Sequence, residues 1–456
     1  MTLLSDEPIP LPRSRTRYTL PACTWFLLTC CGVALVLFLR SRNAILSPGM
    51  LVEDGTVFLA PFHNHPSWRN LLHHYAGFIP LFPNLTTVCA LGLCPLRWTP
   101  YFMMGTSFLL AVLALSCFSL RRFRVYLPND GARAMICGLV ALLPLGNHLV
   151  LTNVSYCIWH LLYFALLLYL GPPPTSRWQI LFLLGTVTLA VCSNPLSIVL
   201  GPIALYRLSA APTLSEKLTS AYVFTLVCGY LIRGTAFQEL TLSFSFSTVE
   251  TIANYLVSRV GLEALLGGQL RYDLFSSCLP RSCLFLALLC GILGSAALAA
   301  RSRRCSGKTA PLLPWVLWGY FLVAMTTASV LGRSLQCEEK LATPWDNRYF
   351  YIQQLMLLTG SGILLARSWV SWGRLIKVTS LVCVPILIVP LNLYNHTLFS
   401  TTRAEGEVLE AFLRSAEVRL SRCGDLADRE GLTIVLEREG PWDIVLRCPR
   451  SSRPRH

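Results

Sequence analysis

The sequence predicts an all-α, polytopic membrane protein with about eleven transmembrane helices and a small α+β tail at the C-terminus. Of the 456 residues, 54% are hydrophobic and only 13% are charged, and the mean hydropathy is +0.55. The core of a soluble protein does not require so much apolar sequence. Apolar runs recur almost to residue 395, and arginine is concentrated in the turns that would face the cytoplasm.

The first apolar run, residues 20–39, is long enough to cross a bilayer. Three arginines precede it and predict a cytoplasmic N-terminus. The run is too long for a cleaved signal peptide and lacks a small-residue cleavage site, so we expect a retained span. Residues 40–97 then form a long extracytoplasmic loop. Its apolar part at 74–96 contains three prolines and is interpreted as an interfacial or re-entrant segment.

The further spans are expected at 98–120, 132–151, 155–170, 178–193, 195–208, 219–234, 282–300, 312–331, 349–366 and 377–395. The turns at 121–124, 301–304 and 367–377 are rich in arginine and lysine and are predicted to be cytoplasmic. A second long outer loop covers 235–280, with an expected interfacial helix at 249–266.

Two regions are expected on this scheme. Residues 1–397 form a transmembrane domain, and residues 398–456 form a small extracytoplasmic region. Within the second region, residues 404–420 have helical periodicity with charges on one face. Two short apolar runs at 432–436 and 442–446 predict a pair of strands.

The net charge of +15 comes from 38 lysines and arginines against 23 acidic residues. In a soluble protein this excess would indicate nucleic-acid binding. Here the arginines cluster between predicted spans, where they set orientation and contact anionic headgroups. We therefore expect membrane lipids, and not nucleic acid, as partners.

An acidic pair, Glu53 and Asp54, follows the first span and is itself followed by Gly55. Carboxylates beside a membrane are costly unless they are solvated or functional. A carboxylate at this place suits a general base that acts on membrane-bound substrates. We assign the base to Asp54, with Glu53 as its orienting partner or alternate; the other interpretation is a solvated acidic turn.

Four segments occur in a characteristic order: LVEDGTVFL at 51–59, LLHHYAGF at 71–78, the stretch 197–206 with its Gly-Pro, and NRYF at 347–350. This order resembles the type C glycosyltransferase superfamily, especially its uncharacterised bacterial members. The resemblance is best over residues 40–210. Two positions depart from it. Leu51 and Val52 stand where an aromatic residue usually precedes the acidic pair, and Pro83-Asn84 replaces a frequent Pro-Arg.

The resemblance implies a hexosyl- or pentosyltransferase. Its donor would be a sugar linked to a polyprenyl phosphate, and its acceptor an envelope glycan, lipid or protein on the extracytoplasmic side. In this superfamily an acidic residue of the first outer loop acts as base on the acceptor hydroxyl. The leaving lipid phosphate also needs a cation near its oxygens.

Arg348 is the leading candidate for that cation, with Tyr349 beside it, because a guanidinium matches phosphate oxygens. Arg348 could instead anchor its span at the interface. Arg259 and Arg271 are weaker candidates for the phosphate. Tyr75 is expected to shape the loop against the donor site.

Four of the eight histidines lie close together in the sequence. His73 and His74 are candidates for substrate contact. His63 and His65 are candidates for holding a divalent metal, although the spacing matches no tight ligand motif. Any cofactor is otherwise unknown.

Two other functions remain open. A transporter or flippase of a lipid-linked or anionic substrate should have charged or broken helices in mid-membrane. The candidate charges here gather in outer loops instead, although Asn194-Pro195 could break a helix. A non-catalytic scaffold in envelope assembly is the third possibility.

Overall fold

The computed structural model describes residues 21–50, 53–75, 78–143, 145, 148–233, 246–274, 313–331, 350–368, 390–392, 403–421, 433–436 and 444–447. These residues form 17 α-helices and one antiparallel two-stranded sheet. The prediction of a mainly helical chain with a small sheet near the C-terminus is therefore confirmed.

The helices are α1 (Ala22–Arg40), α2 (Arg42–Leu46), α3 (Ala60–Asn64), α4 (Leu81–Leu93), α5 (Thr99–Ser116), α6 (Asp130–Leu142), α7 (His148–Thr152), α8 (Ile158–Leu170), α9 (Arg177–Ser193), α10 (Leu200–Ala210), α11 (Leu214–Arg233), α12 (Phe246–Tyr255), α13 (Glu263–Leu266), α14 (Gly268–Leu274), α15 (Leu313–Leu331), α16 (Tyr351–Ser368) and α17 (Arg403–Ser421). The strands are β1 (Thr433–Leu436) and β2 (Ile444–Arg447), with Thr433 opposite Arg447 and Leu436 opposite Ile444.

Two helical stretches in the described ranges are long and apolar enough to cross a membrane, Cys23–Arg40 and Leu96–Val125. They correspond to the first two predicted spans. Helices α8, α9 and α10 are apolar but shorter. The total of about eleven spans stays a prediction. The predicted span at 282–300, and all but residues 390–392 of the one at 377–395, lie outside the described residues.

The predicted span at 132–151 is not one helix. Helix α6 ends at Leu142, and α7 begins only at His148. Leu143 adopts an extended conformation (φ −68°, ψ 144°), as is typical of a residue that precedes proline. Arg40, at the end of α1, donates hydrogen bonds to the carbonyls of Ala141 (2.8 Å) and Leu145 (3.0 Å). It thereby pairs one carbonyl in the last turn of α6 and one in the segment between α6 and α7.

Helix α8 is the centre of the bundle. Every residue from Ile158 to Tyr169 is buried, and α5, α9 and α16 pack around it. Two polar contacts join α8 to α16. His160 Nε2 lies 2.8 Å from the Tyr351 hydroxyl, and the Tyr163 hydroxyl lies 2.7 Å from Thr359 Oγ1.

The C-terminal elements pack on residues 40–97 and on the start of α5 that follows them. The Tyr101 hydroxyl donates to Glu410 of α17 at 3.2 Å. Asn64 pairs with β2, donating to the carbonyl of Val445 (2.8 Å) and accepting from the backbone N–H of Arg447 (2.7 Å). These contacts require α17, the hairpin and the first loop to lie on one face of the bundle.

If the predicted orientation holds, Arg121 and Arg414 lie on opposite sides of the membrane. Both side chains are exposed. In intact cells, an impermeant thiol reagent should label the variant Arg414→Cys, and should label Arg121→Cys only after permeabilisation. Labelling is measured as the gain over the parent chain, which has 18 cysteines. Labelling of Arg121→Cys from outside would reverse the assignment of the faces.

Candidate active site

The acidic pair begins a π-helical turn. Asp54–Leu59 forms this turn and continues directly into α3. Turns of this kind are rare in proteins, and those that occur are often found at functional sites. Glu53 is 9% exposed and Asp54 is 4% exposed. The interpretation of the pair as a solvated acidic turn is therefore wrong.

Asp54 is bonded to the segment that leads into α8. Its Oδ2 accepts from the backbone N–H of Val154 at 2.9 Å. Its Oδ1 accepts from the backbone N–H of Ser155 at 2.9 Å and from the Ser155 hydroxyl. These N–H groups belong to the turn at 153–157 that precedes α8; Cys157, the residue just before the helix, gives it no side-chain cap. The bonds tie that turn to a residue 100 positions earlier in the chain.

Glu53 is held by two tyrosines. The Tyr156 hydroxyl donates to both carboxylate oxygens, at 2.9 and 3.1 Å. The Tyr75 hydroxyl lies 3.3 Å from Oε1. Reciprocal backbone hydrogen bonds between Tyr75 and Phe78, at 2.9 and 3.1 Å, fix the turn that presents Tyr75. The two carboxylates are therefore fixed in direction by different partners.

Burial raises the pKa of Asp54 to about 7. The hydrogen bonds from Ser155 and Val154 act in the opposite direction, and the neighbouring charge of Glu53 adds to the rise. Asp54 can therefore gain or lose a proton near neutral pH. This is the range in which a carboxyl group is an effective general base.

Aromatic rings line the loop beside the pair. Phe58 packs edge-on against Tyr75 and against Phe62, with ring centroids 6.4 Å apart in each case. Phe62 in turn meets the ring of His73 at 5.8 Å. Such edge-to-face contacts hold the rings in place.

The C-terminal hairpin covers the π-helical turn. A Cβ atom added at Gly55 would lie 2.5 Å from Cδ1 of Ile444 and 2.8 Å from its Cγ1. Ile444 is fully buried in this contact region. A larger residue after the acidic pair would force the Ile444 side chain to move, because the hairpin lies directly against the backbone there.

A second buried group of charges lies in the other predicted outer loop. Arg259 Nη1 donates to Glu263 Oε2 at 2.9 Å, and Arg271 Nε lies 3.6 Å from the same oxygen. All three residues are at most 3% exposed. Burial lowers the pKa of Arg271 to about 10, and the charge of Arg259 adds to that decrease. Two guanidiniums thus share one carboxylate oxygen.

The segment with these charges was expected to be an interfacial helix at 249–266. It is helical, but its centre is a π-helical turn, Leu256–Leu262, that buries Arg259. Gln354 of α16 donates to the carbonyl of Arg259 at 2.7 Å. The guanidinium of Arg259 lies 5.4 Å from the ring centroid of Phe350. The segment therefore packs into the bundle through polar groups, which a surface helix would not do.

The acidic pair lies beside the start of α8, and the basic group lies beside the start of α16. These two helix starts contact each other. Asp54 bonds to the turn before α8, and Arg259 packs at the start of α16. The contact between His160 and Tyr351 connects these two helix starts. Neither partner of this contact was among the candidates from the sequence.

The other candidates are placed as follows. Arg348 and Tyr349 lie outside the described residues. His65, His73 and His74 are exposed, and His63 is half-buried with Nδ1 3.5 Å from Asn64 Oδ1. Within the part of the chain that the structure describes, no three His, Cys, Asp or Glu side chains are grouped as a metal site requires.

Comparisons of the chain with protein-family models, curated proteins and solved structures find no match. Function is therefore inferred from the geometry of the two charged groups.

The contact between Gly55 and Ile444 predicts a coupled pair of substitutions. Gly55→Ala should destabilise the protein by about 1–3 kcal/mol through overpacking. Ile444→Ala alone should cost about 2–5 kcal/mol, because it leaves a cavity. The double variant should cost at least about 1 kcal/mol less than the sum, since the truncated side chain makes room for the new methyl group.

Thermal unfolding in detergent measures the effect. Gly92→Ala is the matched control, because nothing lies within 4 Å of an added Cβ there. Strictly additive losses at positions 55 and 444 would mean that the hairpin does not lie on the π-helical turn.

Proposed function

We propose that this protein is a membrane glycosyltransferase. It moves a sugar from a polyprenyl-phosphate-linked donor to an acceptor on the extracytoplasmic side, with Asp54 as the general base. The observation that carries the proposal is the buried Asp54 carboxyl group. Its pKa is about 7, whereas the pKa of an exposed aspartate is about 3.9.

The surroundings of Asp54 suit attack by a hydroxyl group. A base must lie within hydrogen-bond reach of the proton that it removes. The Ser155 hydroxyl already donates to Asp54 Oδ1, so a hydroxyl can approach this oxygen. An acceptor hydroxyl that takes the place of Ser155 Oγ would donate its proton to Asp54 as its oxygen attacks the anomeric carbon. Glu53 keeps Tyr75 and Tyr156 oriented beside that position.

The buried group of Arg259 and Arg271 supports the second half of the reaction. The bond from the anomeric carbon to the lipid phosphate breaks, and the phosphate leaves with added negative charge. Guanidinium groups stabilise such oxygens through paired N–H donors. With two guanidiniums placed beside each other on Glu263, this buried group is the candidate partner for the phosphate.

A transporter of a lipid-linked or anionic substrate is the second candidate. It is favoured by the interrupted helices, which transporters use to build binding sites. One interruption separates α6 from α7. Another follows α9, where Asn194 Oδ1 accepts from the backbone N–H of Leu196 at 3.0 Å. The two candidates differ in whether a glycosidic bond is broken.

The test is transfer of labelled sugar from a panel of polyprenyl-phosphate hexoses and pentoses by the protein in nanodiscs. Asp54→Asn should lower the rate by about two to four orders of magnitude, because the amide cannot accept the proton. The wild-type rate should rise with pH through about 7, as Asp54 loses its proton. Asp130→Asn is the matched control, since Asp130 pairs with Arg124 and Arg133 at the other end of the bundle.

A second variant distinguishes a role of Asp54 as general base from a purely structural role. Ser155→Ala removes a hydrogen bond that lowers the pKa of Asp54, so the rising limb of the pH profile should move to higher pH while transfer continues. A wild-type rate in Asp54→Asn would refute the base assignment. Movement of an intact labelled donor across a vesicle, without transfer, would favour the transporter.

A further inference from the structure

A pocket opens at the end of α8 that lies away from the acidic pair. It is bounded by the ends of α8 and α10, the start of α11 and the loop after α8. The lining residues that matter here are Arg122, Tyr169, Arg207, Ser215, Glu216 and Ser220. Helix α8 has 13 residues, so the pocket lies about 20 Å from the turn bonded to Asp54.

Two arginines enter this pocket from different elements. Arg122 donates through Nη2 to the carbonyls of Leu168 (3.1 Å) and Pro172. Arg207 donates through Nη1 to the carbonyl of Tyr169 and stacks on its ring at 5.0 Å. Each guanidinium has five N–H donors in a fixed fork. These bonds fix the position of both groups and leave further N–H donors on each for a ligand.

Neither Arg122 nor Arg207 forms a salt bridge within the described part of the chain. Glu216 lines the same pocket, with its carboxylate accepting from the Thr213 hydroxyl at 3.1 Å, so the two arginines outnumber the one carboxylate there. Like charges that share a partly buried site repel each other. A bound anion would relieve that repulsion.

The remaining walls also suit an anion. Ser215 is exposed at the start of α11, and Ser220 is a buried hydroxyl that accepts from the Tyr169 hydroxyl at 3.2 Å. The loop can pass close beneath Arg122 because residue 171 is glycine. A Cβ atom there would lie 3.0 Å from the Leu167 carbonyl and 3.3 Å from Arg122 Nε.

We propose that this pocket binds a phosphate group on the face predicted to be cytoplasmic. The phosphate belongs either to an anionic lipid headgroup or to a free anion. Basic pockets between membrane helices on this face bind such headgroups, and the inner leaflet supplies them. The site is separate from the proposed sugar transfer, which lies at the other end of α8.

The experiment measures the thermal midpoint of the full chain in uncharged detergent against two probes. One probe is sodium phosphate, compared with sodium chloride at equal ionic strength. The other is phosphatidylglycerol in mixed micelles, compared with phosphatidylcholine. Ser215→Asp places a carboxylate at the mouth of the pocket and leaves both arginine–carbonyl contacts in place. Its half-maximal probe concentration should rise about tenfold or more.

Arg122→Gln and Arg207→Gln should lose the response as well, if they fold. Arg121→Gln is the matched control, because Arg121 lies in the same turn but outside the pocket. A response to both probes that depends on Ser215 identifies a general phosphate site. A response to phosphatidylglycerol alone identifies a lipid site, and a response to phosphate alone a free-anion site. No response, or an equal loss in Arg121→Gln, would overturn the proposal.

Discussion

The hydrogen bonds between Asp54 and the turn at Val154 and Ser155 join the segment that follows the first predicted span to the fully buried helix α8. Helix α8 is enclosed along its whole length, so the backbone groups at its ends need partners from elsewhere in the chain. The Asp54 carboxylate bonds to the turn just before the helix, and two arginines donate to its last carbonyls. Positive charge at the last turn also suits the helix dipole. Each end consequently concentrates buried charge.

The same need for partners at helix ends brings two chemically different charged groups to one end of the bundle. His160 and Tyr351 join α8 to α16 just beyond the turn bonded to Asp54. Phe350, the residue directly before Tyr351, contacts the guanidinium of Arg259 through its ring. Acidic and basic groups from separate loops are thus held by neighbouring helix starts and not by each other. Separation of this kind keeps the two groups from cancelling each other in a direct salt bridge, as the proposed roles of base and phosphate-binding group require.

Much of the fold follows from local sequence pattern. Apolar runs predicted α1 and α5, and two short runs beside a Gly-Pro predicted the hairpin. The interruption after Leu142 was missed, because the apolar run continues across the proline that breaks the helix. The acidic pair was found from its position after the first span. Its partner Ser155 could not be found, since a hydrogen bond across 100 residues leaves no periodicity in the sequence. The basic group was recognised only in part: the four-residue spacing of Arg259 and Glu263 allows a pair on a helix, but nothing in the sequence marks Arg271 as sharing that carboxylate.

The central claim is that Asp54 is a buried carboxyl group that titrates near neutral pH. Infrared difference spectroscopy of the wild type against Asp54→Asn measures this directly, through the C=O stretch of a protonated carboxylic acid. The wild type should show a band that the variant lacks, and this band should disappear as the pH rises through about 7. Loss of the Asp54 proton at a pH of about 3.9, the pKa of an ordinary aspartate, would contradict this claim.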